Sequence, residues 1–280
     1  AAAAIQLGHC GNMSHKSICG VTPVGASSGF NLYSPTFVRG LKKEELPEMA
    51  RAYGHAVNLA REAGFDAVEI HAGHGYLISQ FLSPYTNRRK DCFGGSLENR
   101  MRFMDMVMEE VMKAAGTDMA VLVKVNMRDG FRGGMEMDET MQVAKRLEQS
   151  GAHALVLSGG FVSKAPMYVM RGQMPIHSMT HYMNCWWLKY GVRMVGKWMI
   201  PTVPFKEAYF LEDALKFRAE IKMPLVYVGG LVSREKIDEV LNDGFEAVQM
   251  ARALLNEPGF VNRMREEEKA ICNCKHSNYC

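Results

Sequence analysis

The sequence predicts an α/β fold built around a parallel β-sheet, and two observations support this prediction. Short apolar segments alternate along the chain with longer segments whose apolar residues recur at helical spacing. Glycine or polar residues follow most of the apolar segments, as happens where a strand ends in a loop. Repeated strand–helix units place parallel strands side by side with the helices outside them. Both an open doubly wound sheet and a closed (β/α)8 barrel satisfy this pattern.

Six segments have the composition and length of strands: residues 3–7, 65–71, 119–126, 153–158, 224–228 and 246–250. Residues 119–126 (MAVLVKVN) are apolar at nearly every position, which is typical of a strand covered on both faces. A (β/α)8 barrel needs eight strands. The six predicted strands are therefore two short of a complete barrel.

Five segments are predicted to be helical: residues 44–63, 97–111, 138–149, 206–221 and 234–241. In each, apolar residues recur every three or four positions and form one face. Ser96, Asp138 and Ser233 are residue types that favour the N-cap position, and we expect each to cap the helix that follows it. A glycine follows three of the helices, as is common at helix C-termini.

The composition excludes several classes of protein. Apolar residues make up 48% of the 280 residues and charged residues 22%, which is ordinary for a soluble enzyme and excludes a disordered or fibrous chain. Neither a membrane span nor a secretory signal is visible in the sequence, and a net charge of +3 is too small to predict nucleic-acid binding. Seven cysteines without the spacing of a disulfide scaffold predict a reducing, cytoplasmic setting.

The segment with the most chemical potential begins where the strand at 65–71 ends. His71, His74 and Tyr76 lie within six residues of each other there. Two histidines can donate hydrogen bonds to one carbonyl oxygen, and a nearby tyrosine can supply a proton. Active sites of barrels gather at this end of the strands. These residues therefore predict a catalytic site; the alternative is a set of structural hydrogen bonds at a strand end.

A second candidate site follows the last two predicted strands. Gly229 and Gly230 come after one strand, and Ala251 and Arg252 after the next. Loops in the final two units of a barrel often bind a phosphate through backbone N–H groups. The alternative is a pair of ordinary turns without a ligand.

The stretch GFDAVEIHAGHGYLISQFLSPYTNRR…FGGSLENR from Gly64 to Arg100 resembles the signature of the Old Yellow Enzyme family of FMN-dependent ene-reductases. The resemblance also covers IQLGHCGNM near the start and VGGLVS…GFEAVQMARALLNEP near the end. It implies a (β/α)8 TIM barrel that lacks about two N-terminal strands in this sequence. It also implies FMN as cofactor, with NADH or NADPH as the reductant.

The resemblance assigns roles by position. His71 and His74 match the pair that binds the substrate carbonyl, and Tyr76 matches the tyrosine that protonates the substrate. Gln6 matches the glutamine that hydrogen-bonds the flavin ring. Lys124 stands where the family usually has arginine, so it keeps the positive charge but not the bidentate fork. The phosphate-binding turns are matched by Gly229, Gly230, Ala251 and Arg252.

These implications predict a reductase for the C=C bond of an α,β-unsaturated carbonyl compound. Two alternatives stay open: a flavin-dependent dehydrogenase or demethylase of an amine or another substrate, and a barrel subunit without catalytic activity. The expected partner is a small-molecule substrate, with neither nucleic acid nor a membrane, and a homo-oligomer is possible. No metal ligand set is expected.

The barrel is expected to span residues 1–271. Two further features are predicted: an insertion within it at 161–205 and a cysteine-containing tail at 272–280. The tail 272–280 carries Cys272, Cys274 and Cys280, but Ser277 stands where larger relatives have a further cysteine for a [4Fe–4S] cluster. We therefore expect neither a cluster nor a zinc site there. The insertion 161–205 contains all three tryptophans and seven methionines. It is expected to form either a lid over the flavin or a packing surface, such as an oligomer interface.

Overall fold

The computed structural model describes residues 2–32, 35–172, 174–181, 183, 185–199 and 202–280. Ala1, positions 33 and 34, and five positions of the predicted insertion (173, 182, 184, 200 and 201) lie outside the described residues. Nine strands are present in the described part: β1 (Ala4–Leu7), β2 (Val24–Gly25), β3 (Gly29–Asn31), β4 (Thr36–Gly40), β5 (Ala67–His71), β6 (Ala120–Asn126), β7 (Ala154–Ser158), β8 (Leu225–Val228) and β9 (Ala247–Gln249).

Twelve α-helices accompany the strands in the described residues. They are α1 (Lys16–Cys19), α2 (Leu46–Glu62), α3 (Leu77–Leu82), α4 (Leu97–Ala115), α5 (Met137–Gln149), α6 (Pro166–Met170), α7 (Ile176–Met179), α8 (Trp186–Met199), α9 (Leu211–Glu220), α10 (Arg234–Asn242), α11 (Arg252–Asn256) and α12 (Phe260–Glu266). Short 3-10 turns at Gly11–Met13 and Lys43–Glu45 precede α1 and α2. None of the helices so described has the length and apolar composition of a membrane span.

The main sheet contains the six predicted strands in the order β1-β5-β6-β7-β8-β9, and every neighbouring pair is parallel. This order is the sequence order, so each strand lies beside the next and the intervening helices cross over the outside. The prediction of a parallel α/β sheet is confirmed. The sheet has six strands among the described residues, and the absence of about two N-terminal strands stays a prediction.

The core lies between the main sheet and its helices. Strands β5, β6 and β7 are buried over most of their length, as a near-continuous apolar composition requires in a parallel sheet. Helices α2 and α4 pack closely against each other, and α2 presents Leu46, Tyr53 and Val57 to the core. Gly54 is needed there, because a Cβ at this position would lie 2.9 Å from the carbonyl oxygen of Glu110 on α4.

Two predicted helix starts were wrong. Helix α5 begins at Met137 with Glu136 at the N-cap, so Asp138 lies in the first turn, where its charge still favours the helix dipole. Helix α9 begins at Leu211 rather than near residue 206, because the preceding residues form a turn in which Ala208 has a positive φ of 51°. Ser96 and Ser233 cap α4 and α10 as predicted.

A second small sheet was not predicted. It has the order β2-β4-β3, with β2 parallel and β3 antiparallel to β4. Its strands have two to five residues, too short for a clear periodic pattern. Arg89 connects this sheet to the main body, since its guanidinium donates to the carbonyl oxygens of Ala26 and Leu41.

Candidate active site

A cavity of about 500 Å³ opens at the carboxyl ends of the strands of the main sheet. This is the edge at which parallel α/β folds bind their ligands. Its wall contains polar residues from five strands or the loops after them, together with apolar residues from α6 and the loop before α9. The lining residues include Gln6, Glu69, His74, Lys124, Ser158, Met170, Tyr209, Gly229, Gly230, Leu231, Gln249, Ala251, Arg252 and His276.

The floor of the cavity is organised around one buried carboxylate, Glu69 on β5. Its Oε1 accepts hydrogen bonds from Nε2 of Gln6 at 2.5 Å and from Nζ of Lys124 at 2.7 Å. Its Oε2 accepts from Nε2 of Gln249 at 3.0 Å. Glu69 on β5 thus links side chains from three other strands, β1, β6 and β9. Because a carboxylate only accepts, both glutamine amides must turn their NH₂ groups towards it.

Beside the floor, three side chains form a line of hydrogen bonds. Nε2 of His71 lies 3.2 Å from Nδ1 of His74, and Nε2 of His74 lies 2.7 Å from Oγ of Ser158. The Tyr76 ring packs edge-on against the His71 ring, with centroids 4.7 Å apart. His74 and Ser158 lie on the cavity wall, whereas His71 is buried and is not one of the lining residues.

The backbone between β5 and α3 is held in an unusual conformation to place His74. His74 has a φ of 58°, which a side chain other than glycine seldom adopts. Its N–H donates to Oδ1 of Asn126 on β6 at 2.9 Å, and its carbonyl oxygen accepts from the N–H of Val162 at 3.0 Å. Gly75 follows with a φ of 82°, and a Cβ there would lie 2.5 Å from the Phe161 ring. Glycine is therefore a geometric requirement at position 75.

Both histidines of this line are neutral at pH 7. Burial lowers the pKa of His71 to about 4, with a further contribution from the positive charge of Lys124. Burial also lowers the pKa of His74 to about 3, with smaller contributions from His71 and Lys124. Neutral imidazoles can each donate one hydrogen bond and accept one.

At the other end of the cavity, the turns after β8 and β9 present backbone donors. Within the described part of the chain, the N–H groups of Gly230, Leu231 and Ala251 make no hydrogen bond to another protein group. Gly230 has a φ of 70°, and a Cβ there would lie 2.6 Å from the Tyr209 ring. Ala251 has an ordinary φ of −114°, so its side chain causes no backbone strain there. Such a set of free donors fits a phosphate.

The structure brings seven of the nine predicted site residues to this one cavity. The other two are connected to it through His74: His71 hydrogen-bonds to His74, and the Tyr76 ring packs against the His71 ring. Sequence reasoning missed Glu69, Ser158 and Gln249. Glu69 and Gln249 are polar residues within or at the end of otherwise apolar strands, and Ser158 is the last residue of β7. A polar side chain at such a position was a usable signal.

Residues of the segment 272–280 and of the predicted insertion 161–205 both contribute to the wall. His276 stacks on Phe205 with ring centroids 3.4 Å apart and reaches the cavity. Arg252 donates to Oδ1 of Asn278 at 2.7 Å and to the carbonyl oxygen of Met170. The tryptophans of α8 do not line the cavity and are exposed, Trp198 by 89%. In the described residues, no group of three or more His, Cys, Asp or Glu side chains is arranged to hold a metal ion.

Comparison with known proteins agrees with this architecture. Residues 1–190 match the model of the NADH:flavin oxidoreductase / NADH oxidase family. The chain is 36% identical to a 4,4'-dithiodibutanoate disulfide reductase of Rhodococcus erythropolis, over all of this chain and 70% of that protein. It is 30% identical to an NADPH dehydrogenase of Geobacillus thermodenitrificans, over 92% of this chain and 64% of that one.

A solved structure has the same fold. The old yellow enzyme homologue from Zymomonas mobilis superposes with a TM-score of 0.70 at 24% identity, over 96% of this chain and 68% of that chain. Likeness at this level of identity shows a shared α/β barrel architecture.

Proposed function

Because the chain belongs to the NADH:flavin oxidoreductase / NADH oxidase family, the Old Yellow Enzyme type of flavoprotein, we propose that it is an FMN-dependent reductase. It takes electrons from NADH or NADPH and reduces the C=C bond of an α,β-unsaturated carbonyl compound. The observation that supports this most is the single cavity that joins the Glu69-centred polar floor to the free N–H groups of Gly230, Leu231 and Ala251.

The residues of the cavity fit FMN at both of its ends. The free N–H groups at the turns after β8 and β9 would hold the phosphate, and Arg252 would supply a positive charge beside it. Gln6 and Lys124 would contact the ring system, because they form the polar floor at the opposite end. FMN, when bound, supplies hydride transfer from a nicotinamide to the substrate.

The chain itself binds and polarises the substrate. His71 and His74 would bind the substrate oxygen, because they are hydrogen-bonded to each other and His74 lies on the cavity wall. Neutral imidazoles suit this task, since they can donate a hydrogen bond without an added charge. Tyr76 would protonate the substrate α-carbon as the hydride arrives at the β-carbon.

The visible absorption spectrum of the purified protein tests the cofactor, followed by identification of the chromophore released on denaturation. We expect a flavin spectrum and release of FMN. An Arg252→Ala variant should hold FMN more weakly, and an Arg265→Ala variant, which changes an arginine outside the cavity wall, should not. A colourless protein that cannot be reconstituted with FMN would contradict the proposal.

One relative favours a second candidate function. The 36% identical protein of Rhodococcus erythropolis is named as a disulfide reductase. In that reaction, NAD(P)H and a proton reduce one organic disulfide to two thiols. Parallel assays with an enone and with 4,4'-dithiodibutanoate, each at the same NADPH concentration, distinguish the two. Thiol release without enone turnover would favour the second candidate.

A further inference from the structure

Helix α8 carries an apolar face that the rest of the described chain leaves exposed. Large apolar side chains are 59% to 89% exposed at five of its positions: Trp186, Trp187, Tyr190, Met194 and Trp198. The last four recur every three or four residues, so they lie along one side of the helix, and we call them the apolar stripe. Single exposed apolar residues are normal on a protein surface, whereas a contiguous stripe marks an interaction site.

The opposite side of α8 packs against α7. Nε of Arg193 donates a hydrogen bond to Oγ1 of Thr180 at 2.9 Å. Gly196 is buried and approaches α7 closely, since a Cβ there would lie 3.0 Å from Cδ1 of Ile176. These contacts settle the orientation of the helix, so the apolar stripe points away from α7.

The predicted insertion is a basic segment without acidic residues. Residues 161–205 contain five Lys or Arg residues and no Asp or Glu. Three of the five, Lys189, Arg193 and Lys197, belong to α8 itself. Because the whole chain has a net charge of only +3, the remainder of the chain is net negative. The positive charge is thus concentrated in the segment that exposes the apolar stripe, where it attracts an anionic partner.

This charge disfavours a second copy of the chain as the partner. A symmetric dimer through α8 would place the same face on both sides, so cations would meet cations with no acidic residue of the insertion to pair with them. Tryptophan and tyrosine are instead typical of the headgroup level of membranes, because their rings are apolar and carry one polar group. An apolar stripe rich in tryptophan, on a helix whose charged residues are all basic, is typical of a helix that lies in a membrane interface.

We propose that α8 docks the protein on the surface of a lipid bilayer that contains anionic headgroups. The apolar stripe enters the boundary between headgroups and acyl chains, and the basic residues of the insertion attract the lipid phosphates. This contact needs no membrane-spanning helix, and none occurs in the described part of the chain. The proposal departs from the expectation, drawn from the sequence, of a chain without a membrane partner, because that expectation rested on the lack of a span.

The segment that carries the docking helix is anchored beside the cavity. The N–H of Gly172 donates to the carbonyl oxygen of Val203 at 2.6 Å, which closes the base of the segment containing α7 and α8. Met170, two residues before Gly172, lines the cavity. The helix is therefore attached to the fold at the edge of the sheet where the cavity opens.

The positions of the tryptophans make the first test specific. All three tryptophans of the chain lie on α8, so tryptophan emission reports on this helix alone. The full chain is titrated with vesicles of phosphatidylcholine and with vesicles that also contain phosphatidylserine. We expect the emission to shift to shorter wavelength, with an affinity about tenfold or more higher for the phosphatidylserine vesicles. Added salt should weaken this binding, because it screens the charges.

A double variant tests the apolar stripe and keeps the fluorescent reporter. Tyr190→Ser with Met194→Ser should weaken sedimentation with phosphatidylserine vesicles about tenfold or more, because two apolar side chains no longer enter the bilayer. The matched control, Ile18→Ser with Val21→Ser, removes two exposed apolar side chains outside the insertion and should leave binding unchanged. All four side chains are exposed, so neither double variant should disturb the fold.

Several results would overturn the proposal. The lack of both a spectral shift and sedimentation with either vesicle at low salt would exclude a lipid surface and favour an acidic protein as the partner. Equal binding to both vesicles would rule out anionic headgroups, and equal binding by the parent and the Tyr190 and Met194 double variant would rule out the apolar stripe.

A second copy of the chain has its own signature. If the emission already lies at short wavelength without vesicles and moves to longer wavelength on dilution, a dimer covers α8 and the proposal fails. None of these readouts uses bound flavin or enzyme activity, so this proposal and the proposed function can fail separately.

Discussion

The buried ion pair between Glu69 and Lys124 joins two neighbouring strands, with side chains that are 6% and 11% exposed. Removing one member of such a pair leaves an uncompensated charge, which costs more than the pair itself contributes. We therefore expect Lys124→Met to lower the free energy of unfolding by about 3 kcal/mol. Urea unfolding of the parent and the variant measures this difference.

The matched control replaces both members of the pair. In the double variant Glu69→Gln and Lys124→Met, the unpaired carboxylate is gone, so most of the lost stability should return. A glutamine can still accept a hydrogen bond from Gln6 or Gln249. If the double variant is less stable than Lys124→Met alone, the carboxylate is held mainly by the two glutamines and the ion pair is unimportant.

Tyr76 is expected to act in only one half of the catalytic cycle. Tyr76→Phe keeps the ring that packs against His71 and removes only the hydroxyl. Loss of a proton donor typically slows a reaction about 10²-fold or more. We expect that loss in alkene reduction and little change in reduction of the flavin by NADPH, each followed by stopped-flow absorbance. Equal slowing of both half-reactions would rule out the proton-donor role.

At the residue scale, the sequence predicts the cavity residues that lie near the ends of strands or in the loops after them. Gln6, Lys124, Gly230 and Arg252 are far apart in sequence, yet a parallel sheet brings the ends of its strands to one edge. The partners of Glu69 could not be predicted. They come from three other strands, and no local pattern specifies which polar side chains meet across a sheet.

Helix caps provide a prediction at the scale of single elements. Oγ of Ser233 accepts from the N–H of Lys236 at 3.2 Å and donates to the carboxylate of Glu207 at 3.0 Å. Among the described residues, Oγ of Ser96 makes one hydrogen bond, a long cap bond of 3.4 Å from the N–H of Asn99. We expect Ser233→Ala to cost about 1–2 kcal/mol and Ser96→Ala about 0.5 kcal/mol.

Urea unfolding midpoints compare the two cap variants on the same chain. The ranking of the two stability losses matters more than their absolute values, because each substitution removes a serine hydroxyl from an N-cap. An equal loss, or a larger one for Ser96→Ala, would mean that the contact of Ser233 with Glu207 contributes nothing to stability.

Elements were predictable where apolar residues recur over ten or more positions, as in α2 and α4. The errors have a common physical cause. Asp138 is favourable both at an N-cap and in a first turn, so composition alone does not separate the two positions. The sheet of β2, β3 and β4 depends on long-range pairing of very short strands, which leaves no periodic signal.

At the scale of the whole molecule, the site depends on both ends of the chain. Gln6 comes from the first strand of the main sheet, and Ala251 follows the last. Periodicity predicts the parallel sheet, but it does not distinguish an open sheet from a barrel, because six strand–helix units suit both. The similarity to known proteins carries the barrel assignment, and the completeness of the barrel stays a prediction.

The buried histidines also predict how stability depends on pH. An unfolded histidine has a pKa near 6.5, whereas those of His71 and His74 in the folded protein are about 4 and 3. Between pH 6.5 and 4, the unfolded state therefore binds more protons than the folded state, and stability falls as the pH is lowered through this range. The loss can reach about 1.4 kcal/mol per pH unit for each histidine.

Urea unfolding at pH 7, 6 and 5 measures this dependence before most carboxylates titrate. The double variant His71→Gln and His74→Gln should have a visibly shallower slope of stability against pH than the parent. His55→Gln removes an exposed histidine from α2 and should keep the parent's slope. A double variant that loses stability with falling pH as steeply as the parent would show that the two imidazoles take up protons in the folded state, and would contradict their neutral state at pH 7.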